Sequence, residues 1–450
     1  MTLAIDLKRY PTESFKCWGK AKDIRSRYYQ RFADTENYPG LRWVGSAWTA
    51  DAIPAGLGDD LYLLTSEPYG ASLAFNSSLN RRMQEEAESR NWAHDLCAYM
   101  RSYWGSMYLD EYLVGDELVP WPHVDFIWQM QICCSHSKWY QTVSEYKGVP
   151  QYYFDIGVGP YDLRKAATAE GMEASKLQYV VNQWLTGIEF LEETTGRTFD
   201  DEKMYRAMEH EFRSTSLWAE ICTLNKAVPA PLDEKSMYAF YALGTLNKAS
   251  KEVADFYEEL RDEMKDRVAR GIGSLATERS RVISDSQPPW GFLSVYRYME
   301  KFGVVSVGSM YTFGLEGIFQ EEPDGTLKER ITPMDRGVRL TSREQALTVY
   351  ADWYLSKPMY QIFYGSKIKS EFMKKIIEQW KIDGVLIHLN RGCEGTVIGS
   401  MENRLAIAET GVPVMTYEGN MGDEREFDMG RVMSRIDSFM ETLGLELVSE

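Results

Sequence analysis

Several things are missing from this sequence, and each absence closes off a class of function. No stretch approaches the roughly 18 uncharged apolar residues that a bilayer-spanning helix needs. The opening MTLAIDLKRYPTESFKCWGK likewise holds no apolar run of signal-peptide length, so the expectation is a cytoplasmic protein with no membrane partner. Basic clusters are absent too: 50 Lys and Arg stand against 67 Asp and Glu, a formal net charge of −17. That balance argues against nucleic acid or an anionic membrane as the main partner, and a phosphate-bearing ligand requires local compensation. Neither G-x-x-x-x-G-K-[ST] nor G-x-G-x-x-G occurs, since GVGPYD and GIGSLATE fit neither pattern. The chain is therefore not expected to hydrolyse ATP. It also lacks a C-x-x-C pair, low-complexity tracts and fixed-period repeats, and it has only five histidines.

What remains is a globular composition, 44% hydrophobic and 26% charged over 450 residues, enough for two or three domains. LRWVG and LYLLT read as short apolar strands around the turn AGLGDD. A helical stretch through MQEEAESRNWAHDLCAYMRSYW follows, then HVDFIWQMQI as a buried strand, SKWYQTVSEYKG as a helix ending on Gly148, and QYYFDI as a strand. From Asp162 to Ser284 apolar residues recur at three and four, as in LQYVVNQWLTGIEFLEE and MYAFYALGTL, and this segment reads as helical. Beyond the Gln287-Pro288-Pro289 break, helix and strand alternate again through VLIHLN, PVMTYEG and the amphipathic MGRVMSRIDSFMETLG. The expected architecture is α/β: an N-terminal segment 1–40, a parallel-sheet domain 41–161, a helical region 162–286 and a second parallel-sheet domain 287–450. In open parallel sheets, ligands sit beyond the carboxyl ends of the strands.

Six cysteines are present, Cys17, Cys97, Cys133, Cys134, Cys222 and Cys393. A reducing compartment makes a disulfide framework unnecessary. Cys133 follows the strand HVDFIWQMQI, Cys393 follows VLIHLN, and Cys97 lies in the helical stretch before the first of these. Soft thiolates converging from distant segments can hold an iron–sulfur cluster. Without a C-x-x-C, structural cysteines buried as small hydrophobes account for the same residues.

The segments DGVLIHLNRGCEG and RLAIAETGVPVMTYEGNMGDEREFD resemble the C-terminal signature of the benzoyl-CoA reductase / 2-hydroxyacyl-CoA dehydratase family. LCAYMRSYWG and ICCSHSKWYQ are similar to its first and second cysteine segments and RVISDSQPPWGFLSVYRYMEKFGVVSVG to the strand opening its second α/β domain, and together they cover about residues 41 to 445. The resemblance implies two Rossmann- or flavodoxin-like domains around a helical insert. It also implies a [4Fe–4S] cluster held by Cys97, Cys133 and Cys393. The Cys133-Cys134 doublet departs from the family, which shows one cysteine there; Cys133 is preferred, and a swap stays open. Cys17 and Cys222 match nothing, and Cys222 reads as core.

Three protein ligands would leave one iron corner open for water, hydroxide or substrate. The reaction implied is one-electron attack on an acyl-CoA thioester, giving a ketyl radical anion, with the electron supplied by a separate ATP-hydrolysing iron–sulfur activator. ICCSHSKWYQ and YEGNMGDEREFD look most like the larger cluster-binding subunit of an ATP-dependent benzoyl-CoA reductase, which works with a homologous smaller cluster-binding subunit on an aromatic acyl-CoA. The alternatives are a 2-hydroxyacyl-CoA dehydratase subunit, or a non-catalytic electron-relay subunit of either complex.

Among titratable residues, His136 lies three positions after Cys133 and reads either as a proton donor near the cluster or as a helix N-terminal residue. His388 reads as core, and His123 suits loop packing. In the family a hydroxyl and a carboxylate of the first α/β region contact substrate. Ser46, Thr49 and Glu67 are the candidates here, with a Ser/Thr cap and a solvated Glu as the plainer readings. Asp423 and Arg425 read as a structural ion pair. Aromatic residues make up 13% of the chain and could line an aromatic-acyl pocket, or simply pack the core.

Overall fold

The computed structural model describes residues 8–157, 174–363 and 366–448. The expected boundary between the first α/β domain and the helical region, at 161/162, lies outside the described residues, as does most of GVGPYD.

Two four-stranded parallel sheets form the frame. The first runs in the order Leu61–Thr65, Leu41–Gly45, Phe126–Gln131, Gln151–Asp155. The second runs Val414–Gly419, Gly384–Asn390, Ser280–Asp285, Val304–Ser309. Every pairing in both sheets is parallel. In the first sheet the spatial order, counted along the chain, is 2-1-3-4; in the second it is 4-3-1-2. Read from the opposite edge the second order is 2-1-3-4 as well, so the two sheets share the flavodoxin-like order, in which the chain reverses direction across the sheet between its first and third strands. The central strands are buried on both faces: five of six residues in FIWQMQ and all six in SRVISD are buried, although SRVISD holds only two apolar residues, Val282 and Ile283.

Helices Ala174–Thr195, Asp201–Leu224, Glu234–Asn247 and Lys251–Arg270 form the layer between the sheets in sequence. Asp200, Asp233 and Ser250 start the last three by accepting backbone N–H groups of the first turn. Helix Arg343–Leu355, from the C-terminal part of the chain, packs into the same layer, where Tyr350 Oη donates to Glu211 Oε2 at 2.7 Å and Trp353 Nε1 to Thr215 Oγ1 at 3.0 Å.

Local structure departs from the sequence expectation at two points. The expected helical region ends early: the last helix stops at Arg270, capped by Gly271 at φ 66°, and Ser280–Asp285 is the first strand of the second sheet. That strand is the one the family resemblance of RVISDSQPPWG implied, and the three-and-four periodicity stops short of it. The stretch MQEEAESRNWAHDLCAYMRSYW is two helices, Ser77–Ser89 and Ala98–Tyr108. Asn91, in the left-handed region at φ 67°, breaks it and leaves Cys97 at the N-cap of the second helix. Among the described residues no helix is long and apolar enough to cross a membrane.

An ion-pair network fastens the two sheet regions together. Arg101, on helix Ala98–Tyr108, donates from Nη2 to Asp423 Oδ2 at 2.9 Å and from Nη1 to Glu88 Oε1 at 2.7 Å. Arg425 grips Asp423 through Nε at 2.9 Å and Nη2 at 2.7 Å, and also reaches Glu88. The expected Asp423–Arg425 pair is therefore part of a larger seam. Burial alone would raise the Asp423 carboxyl, but the two guanidiniums outweigh it and hold the group down to about 2. Glu88, His94 and Asp423 together have the donors for a metal ion. Arg101 and Arg425 already neutralise the two carboxylates, which makes the group a salt-bridge centre.

Candidate functional site

Each sheet delivers one of the expected cysteines from the carboxyl end of a central strand. Cys133 follows Phe126–Gln131 and sits at the N-cap of helix Cys134–Lys147, while Cys393 follows Gly384–Asn390 and sits at the N-cap of the short helix Glu394–Val397. Both strands are the third of their sheet in chain order, so the two cysteines occupy matching positions. Cys97, at the N-cap of Ala98–Tyr108, comes in from the side. All three line one small cavity together with Glu67, His136, Tyr99, Gln287 and Tyr311. Three helix N-termini thus surround the sulfurs, and their backbone N–H groups favour negative charge there.

Burial acts in the opposite direction. It pushes the Cys97 thiol up to about 12, the nearby Cys393 sulfur adding to the shift and the N–H groups of Met100 and Tyr99 opposing it. Burial raises the Cys133 thiol well above its ordinary value, with the Cys393 and Cys97 sulfurs adding to the shift. Mutual repulsion of this kind is relieved when thiolates share a cation. Three soft donors lining one cavity, each at the N-cap of a helix, are the donor chemistry that a [4Fe–4S] cluster takes.

Cys134 is exposed and turned outward, with its thiol against the Glu394 carboxylate. The cavity is lined by Cys133. Cys17 and Cys222 are buried elsewhere, Cys17 at the start of helix Trp18–Ala33 and Cys222 inside Asp201–Leu224.

Glu67 and His136 meet although they are far apart in sequence. Glu67 is the first residue of helix Glu67–Leu73 and is buried, not solvated; its Oε1 lies 2.5 Å from His136 Nε2. Its Oε2 accepts the Ala47 N–H and the Ser66 hydroxyl, each at 3.0 Å. Gln129 settles the histidine tautomer. Its Oε1 accepts the Ser46 backbone N–H at 3.1 Å, which leaves its Nε2 to face His136 Nδ1 at 3.4 Å. Nδ1 is then an acceptor and the ring proton sits on Nε2, the nitrogen beside Glu67 Oε1, which has no hydrogen-bond donor of its own.

The hydroxyls of Ser46 and Thr49 turn to the backbone instead. Ser46 Oγ accepts the Trp48 N–H at 3.1 Å and Thr49 Oγ1 donates to the Trp128 carbonyl at 3.3 Å, and neither lines the small three-cysteine cavity with Glu67. His388 is core, its Nδ1 on the Gln287 carbonyl at 2.7 Å and its ring stacked on Tyr417. His123 is exposed beside Asp125.

A second cavity, of about 430 Å³, adjoins the first. Glu67 and Tyr311 line both. Its walls are apolar and aromatic, with Phe75, Tyr238, Tyr241 and Trp290, and Arg25, Lys235 and Arg297 lie along it. Sequence reasoning missed Tyr311, Tyr238 and Gln287. QPPW was visible as a break, but an uncharged glutamine carries no titration signal.

Fold and site define a two-sheet α/β protein with a shared three-thiol cavity next to an apolar pocket. The family profile described as 2-hydroxyglutaryl-CoA dehydratase, D-component, matches residues 49–443, and the chain belongs to that family of 2-hydroxyacyl-CoA dehydratase and benzoyl-CoA reductase subunits. It is 24% identical over 407 residues to the (R)-2-hydroxyisocaproyl-CoA dehydratase alpha subunit of Clostridioides difficile, covering 88% of this chain and 89% of the relative. The (R)-phenyllactyl-CoA dehydratase alpha subunit of Clostridium sporogenes is 22% identical over 406 residues, covering 88% and 89%. A benzoyl-CoA reductase subunit of Thauera aromatica is 20% identical over 368 residues, covering 79% and 78%.

Proposed function

We propose that this chain is a catalytic subunit acting on an acyl-CoA thioester, with a [4Fe–4S] cluster on Cys97, Cys133 and Cys393 and the acyl group in the 430 Å³ cavity. The observation that carries the proposal is that one buried carboxylate, Glu67, lines both the three-thiol cavity and the apolar one. A pure electron relay has no use for that arrangement. When bound, the cluster supplies a low-potential electron to the thioester.

The remaining work falls to side chains. Glu67 holds or moves a proton at Oε1 beside the acyl group, and His136 exchanges that proton through Nε2 while Gln129 keeps the ring in register. The aromatic walls exclude water from the reacting end. Arg25, Lys235 and Arg297 give the local compensation that the CoA phosphates need on a chain of net charge −17. A homologous smaller cluster-binding subunit and a separate ATP-hydrolysing iron–sulfur activator complete the system.

Dehydration of a 2-hydroxyacyl-CoA is the leading reaction, supported by alignment over 88% of the chain with alpha subunits named as dehydratases. Dearomatising reduction of benzoyl-CoA to a cyclic dienoyl-CoA, which ICCSHSKWYQ and YEGNMGDEREFD favour, is the second reading, and the aromatic walls around Trp290, Tyr238 and Tyr241 support it. Anaerobically purified complex given activator, ATP and strong reductant separates them. Turnover of an (R)-2-hydroxyacyl-CoA to the enoyl-CoA is the expected result, and ring reduction of benzoyl-CoA alone would overturn dehydration in favour of the reductase.

A further inference from the structure

Resting on the cluster assignment above, the geometry points to Gln287 as a positioning residue that donates an N–H bond to the Cys393 sulfur and thereby sets the reduction potential of the cluster. Gln287 Nε2 lies 2.9 Å from Cys393 Sγ. An amide side chain can be flipped without changing its shape, so the assignment depends on what holds its other end.

That end has two short contacts and a longer one from Ser286 Oγ at 3.4 Å. Gln287 Oε1 accepts from Asn390 Nδ2 at 2.8 Å and from Thr396 Oγ1 at 2.6 Å. Asn390 is itself locked, because its Oδ1 accepts the Met421 backbone N–H at 3.0 Å, and a backbone N–H can only donate. The direction therefore passes from Met421 through Asn390 to Gln287, and it is the amide nitrogen of Gln287, not its oxygen, that faces the sulfur. Thr396 Oγ1 also lies 3.3 Å from Cys393 Sγ, but its single proton is committed to the shorter contact with Gln287.

The backbone serves the same end. Ser286, just before Gln287, is held in the left-handed region at φ 75°, an unfavourable place for a residue with a Cβ. Ser286 Oγ meets Thr396 Oγ1 at 2.9 Å, and the Gln287 carbonyl takes the His388 Nδ1–H. Strain at a strand end, with both the carbonyl and the Oε1 of Gln287 engaged, suits a residue held for one contact.

Among the described residues no side-chain N–H reaches the sulfur of Cys97 or Cys133; their polar contacts are backbone N–H groups. Gln287 thus acts on one ligand of three. An N–H bond to a cluster sulfur withdraws electron density and stabilises the more negative, reduced state, which raises the potential. Removing it lowers the potential.

The test is a redox titration of the purified complex, monitored by electron paramagnetic resonance, with iron content measured alongside. Gln287→Met keeps the length and loses the donor; the expected result is full iron and a midpoint shifted to more negative potential. Thr396→Val frees one grip on Oε1 and is expected to give a smaller shift in the same direction. Wild-type protein without iron would bring down the underlying cluster assignment. A clustered wild type with an unchanged midpoint in Gln287→Met would overturn this role alone, as would lowered thermal stability at constant potential. Should Gln287→Met fail to assemble, Thr396→Val decides: a negative shift supports the role and an unchanged midpoint ends it.

Discussion

The two sheet regions share a strand order and a cysteine after the third strand, yet they surround that cysteine differently. On the first side the sulfur of Cys133 is flanked by titratable groups, the Glu67–His136 pair with Gln129 behind it. On the second side Cys393 is flanked by amides and hydroxyls, Gln287, Asn390 and Thr396, none of which titrates near neutrality. One topology, used twice, carries an ionisable pair at one cysteine and neutral amides and hydroxyls at the other. A strand order fixes where a site lies; the residues just past the strand ends decide what it does.

The largest effect tests what the two sides have in common. Cys133→Ser, Cys393→Ser and Cys97→Ser should each abolish cluster binding and turnover, measured as iron and sulfide per chain, whereas the outward Cys134→Ser should keep its iron. Retention of iron in Cys393→Ser would break the equivalence of the two sides. Next comes the difference between them. Glu67→Gln should leave iron unchanged and cut kcat by about 10²- to 10⁴-fold, the usual weight of a general acid–base group. An unaltered kcat would remove proton handling from the first side.

Stability tests follow. Asp423→Asn weakens the buried seam while Arg101 stays buried, and should cost about 3–5 kcal/mol by denaturant unfolding of the isolated chain. A change under about 1 kcal/mol, the range of exposed pairs, would mean the seam is solvated.

The smallest effect is a pH slope. Burial lowers the His388 imidazole to about 4, below its ordinary 6.5, with the Gln287 carbonyl opposing the shift. Between those values the unfolded chain binds a proton that the folded one refuses, so stability is complete above 6.5 and falls as pH drops towards 4. This amounts to about 3 kcal/mol over the window. His388→Gln should flatten the slope in a comparison of unfolding free energies from pH 7 to 4, and an unchanged slope would move the titration elsewhere.

Much of the frame could be read from the sequence, because fully buried strands leave short apolar runs and both Cys133 and Cys393 fall directly after one. Cys97 was placed in a helical stretch, but its position at an N-cap was not legible, since the helix break depends on Asn91, a left-handed residue no pattern marks. Glu67 and His136 were each visible, but their pairing is made by the crossing of two chain segments, and nothing local announces it. Ser46 and Thr49 show the converse. Their hydroxyls lie in the right region and are consumed by backbone groups, a choice settled by turn geometry that composition does not reveal. Gln287 stayed hidden because its importance lies in what pins it.

The Arg101–Asp423–Arg425–Glu88 seam joins the two sides without drawing on any of the three thiols. Small metal-folded domains collapse when the metal is removed, because the metal is their only crosslink. Here the seam is a crosslink in its own right, two charged residues from each sheet region, so the spacing of the cavity walls does not rest on the thiols alone.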